Sequence, residues 1–115
     1  MTRWMGLVAA LLALLGTVAV AQTSGTYQQL TVDNTSGGVA ISAATLSGMG
    51  ACQARLETAQ IRFRYDGTGP TTTVGTLLEI GDVVTFSNLV QARAARFIRT
   101  GSTSGVLNIA CWPQP

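Results

Sequence analysis

The sequence predicts an all-β protein: a small antiparallel β-sandwich, similar to immunoglobulin or jelly-roll domains, preceded by an N-terminal signal-peptide helix. One reason is the segment 61–65, where Ile, Phe and Tyr alternate with Arg in the period-two pattern of a half-buried strand. A second is the run DGTGP at residues 66–70, which combines residues that end strands in tight turns. A third is the presence of two cysteines, near the start and the end of the β-patterned region.

The first 21 residues predict a signal peptide. The chain begins with the positive Met1-Thr2-Arg3, continues with an almost unbroken apolar run over residues 6–20, and reaches the small-x-small pattern Ala19-Val20-Ala21. A retained membrane anchor is the alternative, although the apolar run is short for a span of roughly 20 residues. Cleavage after Ala21 leaves a flexible leader at 22–26 and a single domain at 27–115, without a membrane span. The expected location is periplasmic, extracellular or virion-associated.

The charged residues exclude several functions. The chain after residue 21 has six arginines and five acidic residues, with no lysine and no histidine. A net charge of +1 predicts no general attraction to nucleic acid or to an anionic membrane. Without histidine, a Ser or Cys nucleophile lacks its usual base, and the acidic residues are too scattered to suggest a catalytic pair. The sequence therefore predicts a protein that is not an enzyme and needs no cofactor.

Cys52 and Cys111 predict a disulfide, because an even pair in a small exported domain is most simply oxidised. The chain-entropy model gives such a bridge roughly 4 kcal/mol. Two thiols without histidine are too few ligands for a structural zinc, so no metal site is expected. The two cysteines fall on the first and last well-patterned strands, so the bridge is expected to staple the strand before the Asp66 turn to the C-terminal strand. This favours a two-layer sandwich over an open sheet.

The remaining elements follow from local patterns. The runs 76–80 and 83–86 flank Gly81-Asp82 and predict a hairpin. Residues 43–50 are expected as a loop or irregular edge, and residues 87–95 as the one short helix. The other strands are predicted over residues 27–32, 39–42, 52–56, 61–65, 96–100 and 106–112.

Two polar loops are expected to carry recognition, since loops at the ends of a small sandwich are not committed to its core. They span residues 67–73 and 101–105, with arginines at the ends of adjacent strands. The alternative is that the arginines belong to solvated strand faces, Arg62 and Arg64 on one and Arg96 and Arg99 on another. The candidate binding residues are Arg64, Gly67, Thr68, Thr71, Thr72, Arg99, Ser102 and Thr103.

The region from Glu57 to Trp112 resembles small structural or accessory proteins of tailed bacteriophages and prophages. The resemblance lies in IRFRYDG at residues 61–67, TGPTTTVG at 68–75, the segment 77–86 around Gly-Asp, and RFIRTGSTSGVLN at 96–108. It implies a compact, non-catalytic β-sandwich that packs on a virion surface. A signal peptide and a cysteine pair depart from that family, and fit an exported derivative or a phage-encoded protein that acts outside the cytoplasm.

The same strand and turn also resemble, more weakly, the fibronectin-like accessory modules of secreted glycoside hydrolases. This likeness implies a non-catalytic module that binds carbohydrate, and Trp112 is its hint, because exposed aromatic rings stack on sugars. Packing beside Cys111 is the other role open to that tryptophan. The expected partner is therefore a virion or cell-surface protein, or a surface polysaccharide, and the sequence leaves oligomerisation open.

Overall fold

The computed structural model describes residues 24–114 of the chain. The predicted signal peptide and the first leader residues lie outside the described residues. Neither helix in the described range is long or apolar enough to cross a membrane. The elements of this range, in chain order, are β1 Thr26–Val32, α1 Ala43–Leu46, β2 Ala51–Glu57, β3 Ile61–Arg64, β4 Thr76–Leu78, β5 Val83–Phe86, α2 Leu89–Ala94, β6 Arg96–Arg99 and β7 Gly105–Trp112.

The strands form two antiparallel sheets, which confirms the all-β class. A four-stranded sheet has the order β1-β7-β2-β5, and a three-stranded sheet has the order β4-β3-β6. β7 lies inside the larger sheet and pairs along seven residues with both neighbours, from Thr26↔Cys111 to Val32↔Gly105 on one side. Its alternating sequence places Leu107, Ile109 and Cys111 on the buried face, as the period-two pattern predicts.

The Cys52–Cys111 disulfide is confirmed, and it joins the two strands that the sequence predicts. The two residues are direct partners on β2 and β7, with their Cα atoms 4.0 Å apart. The bond therefore joins neighbouring strands of the four-stranded sheet and does not connect the two sheets. A pattern of two cysteines on two strands cannot reveal whether those strands are sheet neighbours or lie in different layers.

The predicted hairpin around Gly81-Asp82 is wrong. A turn does form there, with the Asp82 amide donating to the Glu79 carbonyl at 3.0 Å. However, β4 pairs with β3 and β5 pairs with β2, so the turn carries the chain from one sheet to the other. The physical reason is burial, because Leu78 and Phe86 enter the same core from different sheets.

Both helices are short and begin at capping side chains. The Asn88 Oδ1 accepts from the Gln91 amide at 2.9 Å at the start of α2, which confirms the helix expected over 87–95. The expected loop at 43–50 instead contains α1. Its first turn is capped by the Ser42 hydroxyl, and it buries Leu46 in the core. The β-prone run 39–42 is reduced to one bridge between Val39 and Phe97.

Both sheets contribute to one hydrophobic core, and its two halves differ in composition. One half is aromatic, with the rings of Phe63, Phe86 and Phe97 packed at centroid distances of 6.0 to 6.2 Å. The other half is aliphatic and is made by Val32, Leu56, Ile61, Leu78 and Leu107. The aromatic half lies under the loop that follows β3.

Candidate functional site

The antiparallel registers define two ends of the molecule. Arg64 pairs with Arg96 at one end of the three-stranded sheet, and Ile61 pairs with Arg99 at the other. The Tyr65 ring lies 6.0 Å from the Phe86 ring of the four-stranded sheet, so this contact brings the corresponding ends of both sheets together. We call the end with Arg64 and Tyr65 the basic end and the end with Ile61 and Arg99 the acidic end, because their net charges have opposite signs.

All charged residues within 24–114 except Arg55 lie at one of these two ends. Arg55 lies between them, on the outer face of β2. The basic end carries four arginines and one aspartate, a net +3: Arg62, Arg64, Arg93, Arg96 and Asp66. The acidic end carries four acids and one arginine, a net −3: Asp33, Glu57, Glu79, Asp82 and Arg99. The net charge of +1 thus conceals two ends of opposite sign.

A groove of about 420 Å³ opens at the basic end. The Tyr65 ring stacks on Phe63 with an interplanar angle of 12° and meets Phe86 edge-on, yet it is 47% exposed. Two core rings therefore hold one face of an aromatic side chain that solvent still reaches. The groove is lined by Arg64, Tyr65, Asp66, Val74, Gly75 and Thr76.

Arg64 and Asp66 form a two-point ion pair at the lip of the groove. The guanidinium donates to both carboxylate oxygens, through Nε at 3.1 Å and through Nη2. This hydrogen bonding holds the pKa of the Asp66 carboxyl below its ordinary value. Asp66 Oδ1 also accepts from the Thr68 amide at 3.3 Å, so the pair fixes the start of the loop.

The loop 65–75, here called the groove loop, is anchored along its length. Arg62 donates to the Thr72 carbonyl at 3.2 Å and to the Gly75 carbonyl at 2.9 Å. Pro70 is fully buried. A Cβ atom at Gly69 would lie 2.5 Å from the Gly37 carbonyl oxygen, so the loop approaches the 33–38 turn as closely as only glycine permits.

The predicted residues of the first loop lie together at the basic end. Thr71 orders the loop, because its hydroxyl accepts from the Val74 amide at 2.9 Å. Thr72 has an exposed side chain, and its carbonyl binds Arg62. Gly67 and Thr68 are exposed at the tip. Arg64 lies beside them as expected, although Asp66 occupies two of its donors.

The second predicted loop lies at the opposite end. Arg99 donates to the Ser104 hydroxyl at 3.2 Å, and its backbone amide donates to the Asp33 carbonyl at 3.0 Å. Ser102 and Thr103 are exposed there. The two predicted loops therefore do not form one surface.

The expectation that Arg96 and Arg99 share a face is wrong. Arg99 pairs with the buried Ile61, and Arg96 pairs with the outward Arg64. Residues three apart in a strand point to opposite faces.

The sequence does not single out three features of the basic end. The alternation of residues 61–65 predicts that Tyr65 is buried and that Arg62 lies on a solvated face, and the sequence gives Val74 no role. The position of Tyr65, immediately before an Asp-Gly turn, is the available signal, since a strand that ends in a turn exposes its last residue. Nothing local indicates that Arg62 reaches across to carbonyls 10 and 13 residues away.

A second aromatic pair lies on the outer face of the four-stranded sheet. Trp112 is 41% exposed and Tyr27 is 64% exposed. Tyr27 pairs with Ala110, two residues before Trp112 on β7, which places both rings on one face. The Tyr27 hydroxyl donates to Asn108 Oδ1 at 2.6 Å. The outward position of Trp112 agrees with a role in stacking on a sugar ring and does not agree with packing in the core.

Comparison with protein-family models, with curated proteins and with solved structures finds no match for this chain. Within residues 24–114, no three histidine, cysteine, aspartate or glutamate side chains lie close enough to hold a metal ion.

Proposed function

We propose that the protein is an exported, non-catalytic structural or interaction module, derived from a phage or prophage and acting as a virion or surface accessory protein. We further propose that its two sheets form a jelly-roll sandwich. The strand order is the single observation that carries this proposal. The resemblance of residues 57–112 to phage accessory proteins agrees with it.

The strand order is obtained by counting Val39 as a reduced strand. Its bridge to Phe97 puts it on the free side of β6. Val39 then counts as the second of eight strands in chain order. With this numbering, the four-stranded sheet has the order first-eighth-third-sixth, and the other sheet has the order second-seventh-fourth-fifth. A chain wound as two Greek keys produces these orders, and such jelly rolls occur in viral capsid and lectin domains. Because one fold serves many functions, the partner must be argued from the surface.

The alternative is a secreted carbohydrate-binding accessory module. Exposed Tyr27 and Trp112 favour it, because they lie on the same outer face beside the amides of Gln29, Gln53 and Asn108. Aromatic rings with one apolar face and nearby hydrogen-bonding groups suit sugar recognition. Both functions place the protein outside the cytoplasm and assign it a binding role.

The test uses the protein from its native host. Its mass should show Gln22 as the new N terminus, and an intact Met1 would argue against cleavage and export. The purified protein is then mixed with phage particles and with a polysaccharide panel, and each bound fraction is measured. Co-sedimentation with particles supports the accessory role, and retention on a neutral polysaccharide through Trp112 supports the alternative. Turnover that persists through purification would contradict both.

A further inference from the structure

The basic end combines a charge and a shape that the net composition does not reveal. Four arginines meet one aspartate there, and the four other acids of residues 24–114 lie at the opposite end. Arg64 and Arg96 are direct cross-strand partners, an arrangement that repels unless an anion lies nearby. Asp66 offsets only Arg64. The net positive charge of this surface therefore favours the binding of an anionic ligand.

We propose that the basic end binds an acidic polysaccharide, a chain of uronic acid residues, with one sugar ring in the groove on Tyr65. This inference rests on the proposed function as an exported interaction module and names the ligand of that module. The carboxylates of neighbouring sugars would meet Arg96, the cross-strand partner of Arg64, and Arg93, whose carbonyl accepts from Arg96. A planar guanidinium matches a carboxylate with two parallel hydrogen bonds.

The available donors fit this arrangement. Arg93 is exposed, and its side chain makes no hydrogen bond within residues 24–114. Arg96 uses only Nη1, for the carbonyls of Arg93 and Ala95, both at 2.8 Å. Its remaining N–H groups are available to a ligand. Arg62 already binds the groove loop, and Arg64 already binds Asp66. Both therefore attract an anionic ligand through their positive charge more than through new hydrogen bonds.

Tyr65 is the reason to prefer a glycan to an acidic peptide. Its ring is held by Phe63 and Phe86, so a pyranose ring stacks on it without ordering a flexible side chain. The disulfide favours a compartment outside the cytoplasm, where acidic polysaccharides are abundant surface polymers and nucleic acid is not the expected partner. An acidic peptide and single-stranded DNA are therefore competing ligands in the test.

The experiment measures binding of residues 22–115, with the disulfide intact, to labelled polygalacturonate by fluorescence anisotropy. Arg93→Gln removes a charge without removing a hydrogen bond, and Tyr65→Ala removes the platform. Arg55→Gln and Ile80→Ala, which truncates an exposed apolar side chain, are matched controls outside the basic end. The thermal unfolding of each variant is recorded, and Tyr65→Leu replaces Tyr65→Ala if that variant does not fold.

We expect each basic-end variant to weaken binding about tenfold, and the controls to stay within about twofold of the parent protein. Binding should fall steeply between about 0.05 and 0.5 M salt. Neutral dextran should not bind.

Three results would overturn the inference: no binding of polygalacturonate, equal losses in the control variants, or equal or tighter binding of polyglutamate or single-stranded DNA. Loss of polygalacturonate binding leaves co-sedimentation with particles intact, so this failure is distinct from failure of the proposed function. A protein that binds polygalacturonate but is never exported would contradict the proposed function alone.

Discussion

The basic end and the acidic end are built from the same strands, yet they differ in core, loops and charge. The core of the basic end is aromatic and lies under an 11-residue loop held by Arg62. The core of the acidic end is aliphatic, and its connections are shorter. Two of them are turns closed by backbone hydrogen bonds, from the Ala59 amide to the Glu57 carbonyl and from the Asp82 amide to the Glu79 carbonyl. A small fold can therefore place a long anchored loop and a net positive charge at one end, while short connections and a net negative charge lie at the other.

The largest expected effect is at the aromatic core. Phe63→Ala should lower the free energy of unfolding by about 3–5 kcal/mol, because its ring packs on both Phe86 and Phe97. Urea unfolding measures the change. Leu107→Ala at the acidic end should cost a similar amount, about 2–5 kcal/mol, but leave Tyr65 and the groove in place. A cost below about 1 kcal/mol for Phe63→Ala would contradict the packed cluster.

Removal of the disulfide should have the next largest effect. Cys52→Ala with Cys111→Ala should cost roughly 4 kcal/mol, since the bond closes a loop between residues 59 positions apart. The bond lies at the basic end of the four-stranded sheet, so hydrogen exchange should accelerate more around Thr26 and Cys111 than around Val32 and Gly105. Equal acceleration at both ends of the ladder would show that the bond does not act locally.

A smaller effect should separate two arginines of the basic end. Arg62→Ala should lower the free energy of unfolding by about 1–2 kcal/mol, because the Thr72 and Gly75 carbonyls lose a charged donor. Arg93→Ala is the control and should stay within about 0.5 kcal/mol, since the exposed side chain makes no hydrogen bond with any described residue. Equal costs for the two variants would mean that Arg62 does not anchor the groove loop.

The smallest effect concerns acid pH. The pKa of Asp66 is lowered chiefly by its hydrogen bonds to Arg64, so the ionised form favours the folded state. This stabilisation is present above the ordinary carboxyl pKa and is lost as the pH falls through the lower folded pKa. An NMR titration should show the Asp66 midpoint below its ordinary value, and Arg64→Gln should raise it. An unchanged midpoint in that variant would exclude Arg64 as the main cause.

Much of the fold could be predicted from alternation alone. The strands around Phe63, Leu56 and Ile109 follow the period-two rule, and each buries its apolar set in the core. The local sequence does not determine which strands pair with one another. Leu78 and Phe86 flank a turn typical of a hairpin, yet their strands belong to different sheets. α1 cannot be predicted from the sequence, because a single capped turn that buries one leucine has almost no periodic signal.

The candidate site was predictable only in part. Thr71 and Thr72 could be found because turn residues mark loops and loops carry recognition. Arg99 and the loop residues Ser102 and Thr103 belong to the other end of the molecule, which only the strand registers decide. The division of charge depended on the same registers, so summing the charges along the sequence could not show it.

The pairing of Thr26 with Cys111 has a practical consequence for any tether. Both ends of the described chain leave the four-stranded sheet at the end that carries Phe86, which is the end of the molecule where the groove opens. A fusion partner or affinity handle joined to either terminus would extend from the same end of the molecule as the groove, so a sensor chip that holds the protein by a terminus would turn the groove toward its surface. Attachment through Ser102, on the opposite side, orients the opening toward solution.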